Sequence, residues 1–369
     1  MAGRQLQPGP NWTLGPLGPD LFHGLSGIAL FLGALGASTQ DARYTGLARR
    51  ALATARGQVD RGLLDVGGMA GLAGVVWTLC HLGRLWNEEE LVDLARHYAR
   101  RLADLVSGDT EYDVVAGAAG SILALRRVSA PPVRRAPRAG APARRPAGSR
   151  GPPLPAGLGW LPESLVGAGL AKRPLAGLAH GQAGIAWALL EAATITEDER
   201  YRSTACEALA YERALFDPEV GNWRDMRNWT GDPDGPIVAW CHGAAGIGLA
   251  RLACAPHIGY AEVSDEIETA LATTVRDGFG TSHCQCHGDL GNLELLLQGA
   301  RVLGRPALRE QAGSLAQAVL ESIEEHSWIC GVALGTETPG MLVGLAGIGY
   351  GMLRVASPDR VPSVLTLDP

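Results

Sequence analysis

Two stretches of the 369-residue chain place a cysteine directly before a histidine and a glycine. The first reads W-C-H-G and contains Cys241 and His242, and the second reads C-H-G and contains Cys286 and His287. Thiolate sulfur and imidazole nitrogen are ligands that zinc prefers, and a site with three protein ligands keeps a fourth position for a substrate. If the two stretches meet in space, they can form a catalytic zinc site.

We predict that Cys241, Cys286 and His287 are the zinc ligands, because the two cysteines occupy equivalent positions before their glycines. Two other residues compete for these roles. Cys284 lies two residues before Cys286, and His242 matches His287 in position and could be a ligand or an acid/base. Cysteine and histidine on small-residue turns are also often packed core groups, so the pattern alone leaves these alternatives open.

His180 and Asp113 stand close to two further glycines of the same kind. His180 lies in L-A-H-G, directly before Gly181, and Asp113 lies four residues before Gly117. A histidine and a carboxylate beside an activated thiolate can transfer protons. The structural alternatives are a helix N-cap for Asp113 and a buried, hydrogen-bonded imidazole for His180.

These glycines belong to an internal repeat, G-x-x-G followed by an apolar stretch. Seven copies occur, 45 to 64 residues apart, and their number makes a coincidence of unrelated helix starts a poor explanation. Their first glycines are Gly24, Gly71, Gly117, Gly181, Gly243, Gly288 and Gly344.

Polar stretches with apolar residues at helical spacing separate several copies, at 41–58, 88–106, 198–216, 261–275 and 306–325. Each repeat therefore reads as an apolar helix, a turn and an amphipathic helix. We predict an all-α fold, an α/α toroid of seven helical hairpins, with apolar helices inside and amphipathic helices outside. In such a ring, the residues directly before the glycines of the different repeats lie at the same end of adjacent inner helices. They therefore converge at one opening, or mouth, of the toroid.

Composition excludes several classes of function. The chain is 46% apolar with a net charge of −6, and no basic stripe with interleaved aromatic residues suggests nucleic-acid binding. The most apolar run, 21–37, is too short and glycine-rich for a membrane span, and no signal-peptide pattern opens the chain. Seven scattered cysteines, an odd number, fit reduced thiols and a cytoplasmic protein.

One segment, 128–157, interrupts the repeats with eight prolines and six arginines in thirty residues. Proline at this density prevents a helix, so we predict disorder where the third repeat should have its outer helix. A functional basic arm and an out-of-frame translation are the alternatives. The rest of residues 1–369 is predicted to form a single domain.

The motifs Y-D-V-V-A-G-A-A-G, L-A-H-G-Q-A-G, W-C-H-G-A-A-G and C-H-G-D-L-G-N together resemble those of the LanC-like lanthionine cyclases. The opening and closing stretches look like the C-terminal cyclase domain of LanM-type lanthipeptide synthetases. The resemblance covers nearly the whole chain except the Pro/Arg-rich segment. It implies an α/α toroid with one zinc ion, and matching positions give Cys241, Cys286 and His287 as ligands and His180 and Asp113 as acid/base residues.

The same resemblance implies that Trp240 lines the substrate site, and we expect His242 beside it. The implied reaction is a Michael-type addition in which a zinc-bound cysteine thiolate of a peptide attacks dehydroalanine or dehydrobutyrine in the same peptide. The implied partner is therefore a dehydrated precursor peptide. We expect the large dehydratase region of LanM enzymes to be absent from this chain, so that a separate dehydratase acts first or the chain is a fragment of a split gene.

Two other functions compete with this hypothesis. One is a catalytically idle, cyclase-like module that binds peptides or thiols. The other is an α/α-toroid hydrolase or terpenoid cyclase, which needs a carboxylate pair or an aspartate-rich metal box, and neither stands before the repeated glycines.

Overall fold

The computed structural model describes residues 2–6, 12–62, 64–126, 157–227 and 237–368, and these are mostly helical. Two short antiparallel pairs are the strands within them: β1 (Ala2–Leu6) with β2 (Trp12–Pro16), and β3 (Phe216–Asp217) with β4 (Asn222–Trp223). The Pro/Arg-rich segment lies outside the described residues except for Gly157, so its disorder stays a prediction.

Seven apolar helices begin directly after the seven repeated glycines, as predicted. Their side chains are buried on most faces, which fits helices surrounded by other helices. The seven are α1 (Leu25–Thr39), α3 (Leu72–Trp86), α5 (Ala118–Leu125), α7 (Gln182–Thr196), α9 (Ala244–Ile258), α11 (Asp289–Leu303) and α13 (Leu345–Ala356).

Close backbone approach explains the second glycine of each pair. The chain before each inner helix folds back over its first turn, so that a β-carbon on Gly246 would collide with the carbonyl oxygen of Trp240. The second glycine of each other pair meets the carbonyl oxygen six residues earlier in the same way. Only glycine fits this packing.

Amphipathic helices pack outside the inner ones and coincide with the predicted polar stretches. They are α2 (Ala42–Val59), α4 (Glu89–Leu105), α8 (Glu199–Arg213), α10 (Ser264–Asp277) and α12 (Pro306–His326), with a five-residue helix, α6 (Glu163–Gly167), before α7. Five of the seven expected hairpins are thus complete within the described residues. The chain after α5 leaves the described part, and α13 leads into the C-terminal segment.

The inner helices close into a ring. Each packs against the inner helix before it and the one after it, and α13 packs against α1. The prediction of an all-α, α/α toroid is therefore confirmed.

Backbone hydrogen bonds tie the chain together where the inner helices begin. We call the segments before α1, α3, α5, α7, α9, α11 and α13 mouth loops 1 to 7, and we count positions back from the first glycine of each pair. Seven backbone hydrogen bonds join neighbouring mouth loops around the ring. In six of them both the N–H and the carbonyl belong to residues at position −2, and in the seventh the donor is Val114, one position earlier. The belt runs through Phe22, Met69, Val115, Ala179, Cys241, Cys286 and Leu342 and back to Phe22.

The C-terminal segment, 357–368, packs against the inner helices and reaches mouth loop 5, where Trp240 bonds Leu365. Trp77 Nε1 donates to the carbonyl oxygen of Asp368 (2.9 Å), and His81 Nε2 lies 2.8 Å from the same oxygen. The Arg126 guanidinium donates to the carbonyl of Thr366 (2.9 Å). These bonds connect three inner-ring positions to the chain's last residues.

No helix among the described residues combines the length and the hydropathy needed to cross a bilayer.

Candidate functional site

Mouth loops 5 and 6 bring Cys241, Cys286 and His287 together. The two sulfur atoms and one imidazole nitrogen all lie within 4.8 Å of one another. The belt bond from Cys241 N–H to the carbonyl of Cys286 (3.2 Å) holds the two loops in this arrangement. Both cysteines are buried and His287 is exposed, so the cluster is accessible from the mouth.

The cluster is arranged to hold a thiolate. A hydrogen bond from Cys286, together with the nearby His242 and His287, lowers the pKa of Cys241 well below its ordinary value despite its burial. The pKa of Cys286 rises correspondingly, because its thiol gives that hydrogen bond and is buried. The N-termini of the inner helices, which carry partial positive charge, surround the mouth and favour anions there.

Cys284 is placed differently from Cys286. At position −4 of loop 6, its sulfur accepts hydrogen bonds from the His287 N–H and the Ser282 hydroxyl, both at 3.4 Å. Burial raises the pKa of Cys284 to about 11. Of the two competing cysteines, Cys286 is therefore the one that lies with Cys241 and His287, while Cys284 stabilises its own loop.

Asp113 and His180 meet across loops 3 and 4. His180 Nδ1 lies 2.6 Å from Asp113 Oδ2, and Asp113 is fully buried. The other carboxylate oxygen, Oδ1, accepts the N–H groups of Ala116 (2.8 Å) and Gly117 (3.3 Å). Asp113 is not the N-cap of α5, which is Gly117. One of its oxygens instead holds the loop before the helix and the other binds the imidazole, and its acid/base role stays a prediction.

The Asp113 carboxylate raises the pKa of His180. Burial lowers the pKa of His180, but the charge of Asp113 and its hydrogen bond outweigh burial, so the pKa is raised overall. The His180 side chain keeps 29% exposure. With Nδ1 directed at Asp113, Nε2 is the nitrogen that remains to exchange a proton with a ligand.

His242 and Trp240, expected to line the site, have mainly structural contacts. The His242 side chain is buried, with Nδ1 3.4 Å from the carbonyl oxygen of Ala176, and burial lowers its pKa. It lies outside the three-ligand cluster, although its ring centroid is 6.3 Å from that of His180. The fully buried Trp240 indole donates its N–H to the carbonyl of Leu365 (3.0 Å). A substrate contact for either residue stays a prediction.

An ion pair that the sequence analysis did not single out lies near the mouth. Asp225 and Arg227, just after β4, pair at 2.5 Å and are mostly buried. Arg227 is within electrostatic reach of His180 and His287. Neither residue belongs to a repeated motif, so no signal in the sequence pointed to this pair.

A cavity of about 320 Å³ opens at the mouth and includes His180. Two residues of loop 1 that the sequence analysis also missed, Asp20 and His23, line it with Thr338 and the apolar Val115. The repeat could have indicated both residues, because His23 occupies position −1, as His180 does, and Asp20 occupies position −4, as Asp113 does.

The chain is similar to known proteins over most of its length. Residues 15–131 and 169–366 match the sequence profile of the family described as "Lanthionine synthetase C-like protein". The solved structure of a nisin cyclase aligns with a TM-score of 0.70 over 94% of this chain and 92% of that chain. At 17% identity this likeness supports the fold alone.

A curated relative is the Lacticin 481/lactococcin biosynthesis protein LcnDR2 of Lactococcus lactis subsp. lactis. It is 29% identical over 197 residues, half of this chain. The matched part spans 21% of that relative's length.

Proposed function

Because the chain belongs to the lanthionine synthetase C-like family, we propose that it is a zinc-dependent lanthionine cyclase. Its substrate would be a peptide that contains both a free cysteine and a dehydrated serine or threonine, and its product a thioether ring. One observation carries the proposal: the Cys241–Cys286–His287 cluster and the Asp113–His180 pair lie on successive loops of one mouth.

The cluster fits a zinc ion. Two sulfur atoms and an imidazole nitrogen within 4.8 Å of one another offer three ligands of the preferred types and leave the fourth position for a substrate thiol. When bound, zinc would keep that thiol ionised at neutral pH, where a free thiol of pKa about 8.5 is only a few per cent ionised.

The residues of the mouth would then guide addition and protonation. Attack of the substrate thiolate on the β-carbon of the dehydrated residue leaves a carbanion, delocalised as an enolate, that needs a proton at its α-carbon. His180, whose pKa Asp113 raises, would give that proton from Nε2. No atoms are gained or lost, so the product has the mass of the substrate.

The same chemistry defines the partners. The peptide must already be dehydrated, and we propose that a separate dehydratase or another protein region supplies it. The relative from Lactococcus is named a biosynthesis protein for lacticin 481 and lactococcin, which supports a role in lantibiotic biosynthesis. All seven cysteines are free, which fits a cytoplasmic setting.

A cyclisation assay tests the proposal. The zinc-loaded chain is incubated, without ATP, with a linear peptide that carries one dehydroalanine and one cysteine. We expect thiol alkylation of the peptide to be lost at unchanged mass, faster than in a reaction without enzyme, because the addition also occurs slowly uncatalysed. Equal rates with several dehydrated peptides would instead identify the chain as an idle, cyclase-like module.

A further inference from the structure

His23, in mouth loop 1, stands at the same position −1 as His180, His242 and His287. The other three have side-chain partners: Asp113 for His180, the Ala176 carbonyl for His242, and the cysteine cluster for His287. Within the described residues, neither imidazole nitrogen of His23 has a hydrogen-bond partner, and the residue is exposed. Its imidazole is therefore available to a ligand.

The neighbouring loop explains why His23 lacks a carboxylate. His180 at position −1 meets Asp113 at position −4 of the preceding loop, whereas position −4 of loop 7, which precedes loop 1 around the ring, is Gly340. A β-carbon on Gly340 would lie 3.1 Å from His23 Cα and 3.4 Å from His23 Nδ1. Position −4 of loop 7 therefore faces His23 closely but carries no carboxylate to bind its imidazole.

Without that carboxylate, His23 differs from His180 in charge. The protein atoms around the mouth desolvate His23 and lower its pKa, and the nearby Asp20 offsets part of this effect. His180 has a raised pKa. Because its pKa lies below the ordinary value, His23 is a neutral imidazole near pH 7, with one N–H to donate.

Both imidazoles line the same cavity. Its volume, about 320 Å³, is at the lower end of the range of ligand cavities, about 300–1,000 Å³, so it can hold one or two peptide residues. Ala70 and Val115 add apolar lining to the same cavity. A peptide segment that fills the cavity therefore contacts both His23 and His180, because both line it.

We propose that His23 binds the carbonyl oxygen of the dehydrated residue and donates a hydrogen bond to the enolate oxygen that forms there during the addition. This inference rests on the proposed cyclase function. A new bond joins sulfur to the β-carbon, and the π electrons of the broken carbon–carbon double bond move toward the carbonyl oxygen. His180 then gives a proton to the α-carbon, the carbonyl is restored, and His23 keeps its proton.

This contact would accelerate the addition because the carbonyl oxygen gains negative charge as the new bond forms. A neutral donor aimed at an oxygen that becomes negative binds the transition state more tightly than the ground state. Removal of one such donor elsewhere lowers kcat by about 10²–10³-fold. A fall of this order, with little change in KM, is the effect expected when His23 is replaced by alanine.

The kinetic test compares His23→Ala with His23→Gln in the cyclisation assay, with zinc content measured for both. His23→Gln keeps an N–H donor and should recover part of the lost kcat. His97→Ala, at an exposed position of α4, is the control and should match the wild type. If the wild type cyclises the peptide and His23→Ala does so within about twofold of its kcat, the inference is wrong.

A binding test separates this inference from the proposed function. The ¹⁵N-labelled imidazole of His23 is followed by NMR while a dehydroalanine peptide without cysteine is added to the wild type and to Cys241→Ala. We expect the His23 signals to shift in both proteins, because this contact does not need the metal. Unchanged His23 signals at saturating peptide would overturn the inference, whereas failure of the zinc-loaded wild type to cyclise any peptide would overturn the proposed function.

Discussion

Asp113 and His180 are 67 residues apart in the chain, yet Asp113 Oδ2 lies 2.6 Å from His180 Nδ1. The repeat explains the contact, because position −4 of one mouth loop faces position −1 of the next. The same geometry recurs where position −4 is glycine: a β-carbon on Gly177 would lie 3.0 Å from the Cα of His242. Among the seven loops, all described, only this pair combines aspartate with histidine.

This relationship predicts the pH dependence of cyclisation. Since Asp113 raises the pKa of His180, the histidine stays protonated to higher pH and can act there as an acid. Asp113→Asn should lower that pKa and move the alkaline limb of the pH–rate profile to lower pH. His180→Ala should reduce the rate by about 10²–10⁴-fold at all pH values at which the wild type is active.

Rates of peptide thiol loss between pH 6 and pH 9 would measure both effects. The amide of Asp113→Asn retains an oxygen that can accept the N–H groups of Ala116 and Gly117, so the loop should stay folded. An alkaline limb that does not move in Asp113→Asn would show that the carboxylate does not set the charge of His180.

Zinc content distinguishes the two neighbouring cysteines of loop 6. Cys241→Ala and Cys286→Ala should each reduce bound zinc from about one per chain to almost none, because two remaining ligands hold the ion poorly. Cys284→Ala is the matched control. It removes a buried sulfur two residues away that bonds its own loop, so it should retain zinc.

Metal analysis after dialysis measures this difference, and thermal unfolding with and without added zinc checks it independently, because a bound ion stabilises the folded state. Loss of zinc from Cys284→Ala together with its retention by Cys286→Ala would make our ligand assignment wrong.

Much of the fold could be predicted from local pattern. The glycine pairs determine where the inner helices begin, because the tight approach at their first turn excludes any side chain. Helical periodicity predicted the bounds of the outer helices closely, since the stretch 306–325 corresponds to α12, Pro306–His326. Both signals lie within one repeat, where sequence neighbours are also spatial neighbours.

The site could be predicted only in part, because it depends on contacts between repeats. Position in the repeat was enough to group Cys241 with Cys286, but it did not show which loops share a cavity, and so His23 was missed. For Trp240, its place beside Cys241 in the chain did not show that its indole is fully buried and donates to the carbonyl of Leu365. Its contact with the substrate stays a prediction.

Replacement of a second glycine tests the packing of the mouth. A β-carbon on Gly291 would collide with the carbonyl oxygen of Gln285. Gln285 cannot easily move, because its backbone N–H donates to the Leu342 carbonyl and its side chain to the Gly347 carbonyl. We expect Gly291→Ala to lower the free energy of unfolding by about 1–3 kcal/mol and to weaken zinc binding by the adjoining loop.

The matched control is Gly313→Ala in α12, where a β-carbon meets no atom within 4 Å. Alanine at this open helical position should raise the free energy of unfolding by about 0.4–1 kcal/mol. Urea unfolding of both variants measures the difference. Equal stabilisation by the two substitutions would contradict the proposed collision at Gly291.

The last prediction concerns the C-terminal segment and acid. Burial lowers the pKa of His81 to about 4, and its neutral ring hydrogen-bonds the carbonyl oxygen of Asp368. An unfolded histidine, with a pKa of about 6.5, binds a proton more readily. The folded state is therefore favoured above pH 6.5, and this contribution is lost as the pH falls from about 6.5 to about 4.

His81→Gln keeps a donor for Asp368 but cannot titrate, so its free energy of unfolding should fall less than that of the wild type between pH 7 and pH 4.5. Urea unfolding at several pH values, on zinc-free and reduced protein, excludes loss of metal as the cause. Trp77 still donates to the same carbonyl in the variant, which should keep the segment in place. His97→Gln, exposed on α4, should follow the wild type. If His81→Gln loses stability as steeply as the wild type, His81 is not the group through which acid loosens the C-terminal segment.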